Sequence, residues 1–182
     1  MSNYPIHTVE SAPEQSKQVL REVQQTFGMI PNIAGAMAES PTLISAFLPV
    51  FRQVHSGTFT EAEIQVILLT NARTNRSAWP IAFHSALALR AGVTGATVQA
   101  VREQRLPEDL KLAALSTLAR ALIEQRGHLG GEELRGFREA GYAQAQVLEV
   151  ITVVAASTMT NYAANVAKPD LESAFQEFAF AG

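Results

Sequence analysis

The sequence predicts an all-α protein, a single-domain helical bundle preceded by a short arm. Apolar residues recur at helical spacing along most of the chain, and helix-starting and helix-stopping residues separate the apolar segments. No segment shows the alternation of apolar and polar residues that marks a half-buried strand. With 182 residues, of which 47% are hydrophobic and 17% charged, the chain can bury a core and is too apolar to be disordered. We expect about eight to ten helices, with an arm at residues 1–12, a domain at 13–182 and its core at about 43–126.

The first three helices are predicted at residues 13–27, 33–39 and 42–55. Gly28 stops the first of them, because glycine readily takes the left-handed conformation found at helix ends. Ser40 and Pro41 separate the second from the third. Pro49 lies inside the third helix, where it removes one hydrogen bond at a cost of about 3 kcal/mol, and it therefore predicts a kink near residues 46–49.

The next two helices are predicted at residues 61–74 and about 81–89. Thr60 and Glu63 have the spacing of a capping box at the start of the first helix. Apolar residues cover nearly all sides of that helix, so it should be the buried centre of the fold. The second helix follows Ser77, a candidate N-cap, and it carries Pro80 in its first turn, where the missing N–H has no partner to lose. Gly92 is its expected stop.

Four further helices are predicted at residues 95–103, 107–126, 132–140 and 144–167. Thr94 is the expected cap of the first, and Pro107 is the expected opening residue of the second. The last is long and rich in valine, leucine and isoleucine. No apolar run is expected to reach the ~20 residues that cross a bilayer, and the N-terminus lacks an apolar signal core. The sequence therefore predicts a cytoplasmic protein without a membrane segment.

Composition argues against several classes of function. The net charge is −3 and the basic residues are scattered, so no nucleic-acid partner is expected. The chain has no cysteine, which removes disulfides, thiolate metal ligands and thiol chemistry. His7, His55 and His128 lie in or beside loops without ligand spacing and are interpreted as surface residues, so no metal and no other cofactor is expected. Glu61 and Glu63 are explained by capping and by the helix dipole.

His84 is the strongest candidate for a functional residue. It lies on the inner side of its helix, and an imidazole titrates near neutral pH, so His84 is the best-placed general acid or base. The alternative is a core or interface histidine satisfied by one hydrogen bond. Ser77 lies seven residues earlier on the same face, and it is either a helix cap or a weak polar support for the site. A separation of ~10 Å along the axis excludes a direct Ser–His nucleophile pair within one helix.

Three further side chains are candidates for the surroundings of His84. Gln65 needs hydrogen-bond partners if it is buried, so it either orients His84 or a substrate, or it lies on a half-exposed face. As a neutral amide it cannot replace a carboxylate base. Trp79 either packs over the start of the helix or forms a pocket wall. Pro80 has neither a donor nor a nucleophile, which leaves it the role of shaping the helix start and the pocket.

Two segments are informative together, TEAEIQVILLTNARTN at residues 60–75 and IAFHSALALRAG at 81–92. With residues 27–47 and 156–175, they resemble the carboxymuconolactone decarboxylase and alkylhydroperoxidase D superfamily, in its peroxidase-related branch. Members of that branch usually carry a CxxC pair followed by three residues and a histidine, with a glutamate twelve residues before the first cysteine. The resemblance places Ser77 and Pro80 at the cysteine positions, Gln65 at the glutamate and His84 at the histidine. Only the histidine is kept.

The resemblance implies a bundle of the alkylhydroperoxidase D-like type that assembles into a homo-oligomer, a dimer, trimer or hexamer. It leaves three functions open: a cofactor-free enzyme in which His84 transfers a proton on a small carbonyl or lactone acid, a peroxidase-related oxidoreductase, and a non-catalytic module for small-molecule binding or assembly. A thiol peroxidase needs one thiolate to attack the peroxide and a second thiol to resolve the sulfenic acid. Because Ser77 and Pro80 supply neither, CxxC-dependent peroxidase activity is predicted to be absent.

Overall fold

The computed structural model describes residues 4–180, and within that range the chain forms nine α-helices and one 3₁₀-helix, with no strand. The helices are α1 (Glu14–Phe27), α2 (Asn32–Met37), α3 (Pro41–Val54), α4 (Glu61–Thr74), α5 (Ala78–Arg90), α6 (Gly95–Arg102), α7 (Leu110–Glu124), α8 (Gly131–Glu139) and α9 (Gln144–Ala167), followed by the 3₁₀-helix Ser173–Phe178. The all-α prediction is confirmed.

Local signals in the sequence set several helix ends. The Thr60 hydroxyl oxygen accepts the Glu63 N–H at 3.3 Å, and the Glu63 carboxylate accepts the Thr60 N–H at 2.9 Å, so the predicted capping box begins α4. The Thr94 side chain caps α6 as expected. Gly28 follows α1 in the left-handed conformation, with φ of 72°. Helices α4 and α9 have their predicted bounds.

Three features of the helices differ from the prediction. Helix α5 begins at Ala78, earlier than expected. Helix α7 begins at Leu110 rather than at Pro107, because the Asp109 carboxylate accepts the Leu112 N–H at 2.9 Å and caps the helix there. The 3₁₀-helix is absent from the prediction, since six residues with i to i+3 hydrogen bonds carry no 3.6-residue period.

Helix α3 runs without interruption through Pro49. The ring lies on the exposed side of the helix, and Ser45, whose carbonyl loses its partner, is exposed as well. Water can therefore bind the carbonyl that proline leaves unpaired, which is why this position tolerates a proline that a buried face would not.

Helix α4 is the centre of the fold, as its apolar circumference predicts. Every residue from 63 to 72 is buried, and α5, α7 and α9 pack around the helix. One apolar cluster joins α4 to α7, α8 and α9, and a second joins it to α5 and α6. A third cluster brings α1, α2 and α3 against α5. This arrangement holds the inner face of α5 between α4 and the N-terminal helices.

Residues 4–13 form no helix and lie against α2. The His7 N–H donates a hydrogen bond to the Gly35 carbonyl at 3.2 Å. A Cβ atom on Gly35 would come within 2.9 Å of the His7 carbonyl oxygen and of the Ile6 side chain, so this close approach requires glycine. The predicted arm starts at residue 1, and residues 1–3 lie outside the described range.

Helix α9 is long and apolar enough to cross a membrane by length and composition, with a mean hydropathy of 1.3. The expectation that no apolar run reaches such a length is therefore wrong for this segment, in which Glu149 is the only charged residue. About a third of its most apolar window is buried in the fold (33%). The helix packs against α2, α3, α4, α5 and α7. A core helix meets the same length and composition criteria.

Candidate active site around His84

Helices α4 and α5 bring Gln65 against His84. Nδ1 of His84 lies 2.9 Å from Oε1 of Gln65, and both side chains are buried. Gln65 is the polar residue in a stretch of α4 that is otherwise apolar and faces α5. Of the two interpretations of Gln65 from the sequence, the geometry agrees with the one in which it orients His84.

The carboxylate of Glu61 fixes the orientation of the Gln65 amide. Oε1 of Glu61 accepts a hydrogen bond from Nε2 of Gln65 at 2.6 Å, and an ionised carboxylate can only accept. The amide nitrogen of Gln65 therefore faces Glu61, and its oxygen faces His84. It follows that Nδ1 of His84 carries the proton and that Nε2 carries none.

His55 completes this chain of contacts at the surface. Oε2 of Glu61 lies 3.0 Å from Nδ1 of His55. This hydrogen bond is the largest influence on the pKa of Glu61, which it lowers, with the hydrogen bond from Gln65 adding to the effect against the opposing influence of burial. Glu61 is therefore held in the carboxylate form that orients Gln65.

Sequence reasoning missed Glu61 and His55 as parts of the site, because it assigned Glu61 to the helix dipole and His55 to the surface. One signal was available: Glu61 and Gln65 are four residues apart on one helix, so their side chains are neighbours. The contact between Glu61 and His55 depends on how the turn between α3 and α4 folds, which no local pattern indicates.

Burial lowers the pKa of His84 from an ordinary 6.5 to about 3. The charge of Glu61 acts in the opposite direction and is outweighed, because removing an imidazolium from water disfavours its charged form more than a distant carboxylate favours it. His84 is thus neutral at physiological pH. Its free nitrogen, Nε2, can accept a hydrogen bond or a proton, whereas the resting side chain has no second proton to give.

His84 forms part of the wall of a cavity of about 50 Å³. The cavity is lined by Val23, Phe27, Pro31, Ile33, Ala34, Met37, Phe47, Phe51, Val54, Leu68, Trp79, Phe83, His84, Ala156, Ser157 and Thr160. None of these described residues carries a formal charge at neutral pH. The volume exceeds the roughly 10–15 Å³ that one water needs and is smaller than the roughly 150 Å³ that holds benzene. A ring-sized ligand therefore requires lining side chains such as the flexible Met37 to move.

Trp79 and Pro80 have different places relative to this cavity. Trp79 lines it, stacks on Phe83 with ring centroids 4.8 Å apart, and donates its indole N–H to Oε2 of Glu172 at 3.0 Å. Glu172 belongs to the C-terminal segment, residues 169–180, which packs over α5 through Phe175. Pro80 is buried in the first turn of α5 but does not line the cavity, so its expected part in the pocket is limited to starting the helix.

Ser77 occupies the N-cap position of α5, but its side chain does not cap the helix. The hydroxyl donates instead to the backbone carbonyl of Asn161 on α9, at 3.1 Å, and the residue is completely buried. A carbonyl from a neighbouring helix has replaced the capping bond that the sequence predicts. Ser77 is absent from the cavity lining, so the structure does not bring it together with His84.

Ser157 on α9 is a cavity residue that sequence reasoning missed. It is buried, it lines the cavity with His84, and its oxygen accepts a hydrogen bond from Nδ2 of Asn161 at 3.2 Å. Two polar residues four positions apart in an apolar helix are the only local signal. That signal does not indicate which side of α9 faces His84.

Within residues 4–180, no group of three or more histidine, cysteine, aspartate or glutamate side chains could hold a metal ion. The polar groups of the cavity wall are one neutral imidazole, two hydroxyls and the indole N–H of Trp79. The expectation that the protein uses no cofactor stays a prediction.

No family model matches the chain, and no curated protein matches it. Solved structures do. An uncharacterized peroxidase-related protein from Ralstonia eutropha JMP134, described as an alkylhydroperoxidase AhpD core, is 19% identical with a TM-score of 0.82, over 96% of this chain and 94% of that one. The debrominase Bmp8 is 20% identical with a TM-score of 0.76, over 96% and 94%. A variant of Bmp8 in complex with 2,3,4-tribromopyrrole is 20% identical with a TM-score of 0.75, over 98% and 97%.

These structural neighbours agree with the resemblance found in the sequence. The matches extend over nearly the whole of both chains, although their identities are too low to transfer an activity. The assignment of Ser77 and Pro80 to the positions of a cysteine pair stays a prediction. The chain has the all-α fold of the alkylhydroperoxidase AhpD-like proteins.

Proposed function

We propose that the protein is a cofactor-free enzyme that transfers a proton on a small, uncharged carbonyl compound or lactone, with Nε2 of His84 as the base. One observation carries this proposal. The hydrogen bonds from Glu61 through Gln65 to Nδ1 of His84 leave Nε2 unprotonated and without a hydrogen-bond partner among the described residues, and His84 lines the cavity.

The apolar wall supports an uncharged substrate rather than the lactone acid that the sequence suggests. A carboxylate in this cavity would lose its hydration and meet no lysine or arginine among the lining residues. The Bmp8 variant with a similar fold binds 2,3,4-tribromopyrrole, a small uncharged ring, which supports the same class of ligand.

The proposed step is a proton transfer from carbon. The C–H bond beside the carbonyl breaks, its electron pair forms an enolate, and the proton bonds to Nε2 of His84. The imidazolium that results still donates from Nδ1 to Gln65, whose dipole is oriented by the carboxylate of Glu61. Return of the proton to a different carbon gives an isomer, and return of a deuteron from solvent gives isotope exchange.

The test uses acetone and α-angelica lactone with the purified protein in heavy water, followed by proton NMR. We expect deuterium to enter the carbon beside the carbonyl, and the lactone to isomerise to its conjugated form. His84→Ala should reduce both rates by at least about 100-fold, while His128→Ala, at an exposed position, should leave them unchanged. No exchange above buffer, or an equal loss in both variants with unchanged melting temperatures, would refute the proposal.

A second candidate function is ligand binding without catalysis. The observation that favours it is the pKa of about 3, because a nitrogen of such low basicity accepts a hydrogen bond more readily than a proton. A ring with one N–H donor, such as 2,3,4-tribromopyrrole, would bind with its N–H on Nε2. Calorimetric binding that His84→Ala abolishes, without turnover of any carbonyl compound, would favour this candidate over the first.

We also propose that the protein is no thiol peroxidase, although solved neighbours are described as peroxidase-related. A chain without cysteine supplies no sulfur to oxidise. Hydrogen peroxide and an organic hydroperoxide, incubated with the pure protein and a dithiol reductant, should disappear at the rate of the protein-free blank. Faster, reductant-dependent loss would contradict this prediction.

We propose a homo-oligomer in the cytoplasm. The support for assembly is the exposed apolar side of α9, which carries Leu148, Ile151, Tyr162 and Val166.

A further inference from the structure

We propose that Ser157 is the second polar contact of the ligand, and that its hydroxyl donates a hydrogen bond to the ligand's carbonyl oxygen while Nε2 of His84 faces the acidic C–H. This inference rests on the proposed function and extends it by defining how the substrate lies. It assigns the cavity one donor and one acceptor, and so selects a carbonyl compound over a hydrocarbon of the same shape.

The first argument concerns the hydroxyl proton of Ser157. Serine and threonine inside a helix usually donate to a carbonyl three or four residues earlier. Thr158 does so to Val154 at 2.7 Å, and Thr160 does so to Ser157 at 2.9 Å. Ser157 makes no such bond, and its one hydrogen bond is the one it accepts from Asn161. Its own proton is therefore available.

The second argument concerns Asn161, which keeps that proton available. Asn161 is completely buried, and its Nδ2 donates to the oxygen of Ser157 at 3.2 Å while its Oδ1 has no partner. Turning the amide around would make Ser157 the donor and would remove the one hydrogen bond that the amide nitrogen of Asn161 makes. The observed orientation occupies a lone pair of Ser157, so its O–H bond points away from Asn161.

The third argument is the composition of the cavity wall. His84, Ser157 and Thr160 are its polar members apart from Trp79, whose N–H is bound to Glu172. The Thr160 hydroxyl is committed to its own helix. Ser157 thus remains as the donor that faces a ligand, and Nε2 of His84 as the acceptor.

This pairing matches the charge changes of the proposed reaction. As the C–H bond breaks, negative charge moves to the carbonyl oxygen, and a hydrogen bond to that oxygen strengthens. Ser157 should therefore stabilise the enolate more than the bound ketone. Its removal should lower the rate of the bound complex as well as the affinity.

The experiment compares acetone with 2-methylpropene, which has the same shape but carries a methylene group in place of the oxygen. Binding is followed by NMR through the indole N–H of Trp79, the only tryptophan of the chain, which lines the cavity. Ser157→Ala should weaken acetone binding about ten-fold and leave 2-methylpropene unchanged. Thr158→Val removes a neighbouring hydroxyl of α9 that donates to the Val154 carbonyl and does not line the cavity, and it is the matched control, with changes below about two-fold for both probes.

A measurement on the unaltered protein keeps the proposal testable if Ser157→Ala does not fold. The infrared C=O stretch of bound ¹³C-labelled acetone should shift to lower wavenumber than in an apolar solvent, as a hydrogen-bonded carbonyl requires. An unshifted stretch, equal weakening of both probes in Ser157→Ala, or failure of the intact protein to bind acetone would each overturn the proposal. Ser157-dependent acetone binding without isotope exchange would refute only the role of His84 as a base.

Discussion

At the scale of the residue, the chemistry of His84 is set by Gln65, a side chain that does not ionise. The carboxylate of Glu61 turns the amide of Gln65 so that its oxygen receives the Nδ1 proton. A glutamate at position 65 would hold His84 by charge and favour the imidazolium, whereas glutamine holds its orientation and leaves it neutral. An amide at position 65 can therefore orient the imidazole without favouring its charged form, whereas a carboxylate would do both.

The low pKa of His84 predicts a specific loss of stability in acid. The unfolded chain binds a proton on this side chain below about pH 6.5, and the folded chain does so only near pH 3. Between these values the unfolded state binds more protons, so this contribution to folding is complete above about pH 6.5 and is lost as the pH falls towards about 3. The loss should be on the order of a few kcal/mol.

Urea unfolding at a series of pH values measures this effect by comparison with His84→Gln, which has no titrating group at the position. The difference in unfolding free energy between the two proteins should change with pH only below about pH 6.5. A constant difference from neutral pH down to about pH 4 would mean that the imidazole is ionised, or reaches water, in the folded protein.

At the scale of the element, close contacts decide which glycines the helices need. Gly35 in α2 has the carbonyl of His7 where a Cβ would lie, whereas Gly136 in α8 has open space around the same position. The two residues are both helical and differ in what surrounds them. They therefore form a matched pair for testing whether residues 4–13 are held against the domain.

Gly35→Ala and Gly136→Ala should change stability in opposite directions. Alanine at position 136 should stabilise the protein by roughly 0.5–1 kcal/mol, because it lowers the entropy of the unfolded chain without a clash. Alanine at position 35 should destabilise it by about 1–3 kcal/mol, because the arm or α2 must move. Denaturant titration reports both effects, and a stabilising Gly35→Ala would show that the arm is not packed as described.

For the molecule as a whole, the outer side of α9 exposes a row of apolar side chains. Leu148, Ile151, Tyr162 and Val166 are between 44% and 68% exposed. Aligned apolar side chains of this kind on one helix mark an interaction surface more often than a free one. They are the structural basis for expecting an assembly of identical chains.

Light scattering coupled to size exclusion should give a mass that is a multiple of 19.7 kDa at micromolar concentration. Val166→Glu places a charge on this side of α9 and should shift the mass towards the monomer, while Lys168→Glu, exposed just beyond the helix, should not. A monomer for the unaltered protein would remove the support for an oligomer.

The sequence predicts those features that depend on nearby residues. The capping box of Thr60 and the bounds of α4 and α9 follow from spacing alone. The site depends on pairs far apart in the chain: His84 and Gln65 are 19 residues apart, and Ser77 and Asn161 are 84 apart. Helical periodicity indicates which residues face inward, but it does not indicate which neighbour they meet. For this reason, contact with His84 is one of two interpretations of Gln65 that the sequence allows, and the predicted capping bond of Ser77 is wrong.

The position of Trp79 links the two ends of the fold. The indole forms part of the cavity wall and donates to Glu172, which also accepts the Asn32 N–H at the start of α2. A ligand that displaces the indole of Trp79 must break the hydrogen bond from the indole to Glu172. Ligand binding in the cavity and release of the C-terminal segment are therefore thermodynamically coupled. Because this coupling is reciprocal, removal of the residues after Lys168 should change the affinity of the cavity for the ligand. The fluorescence of Trp79 would report both ligand binding and release of the C-terminal segment.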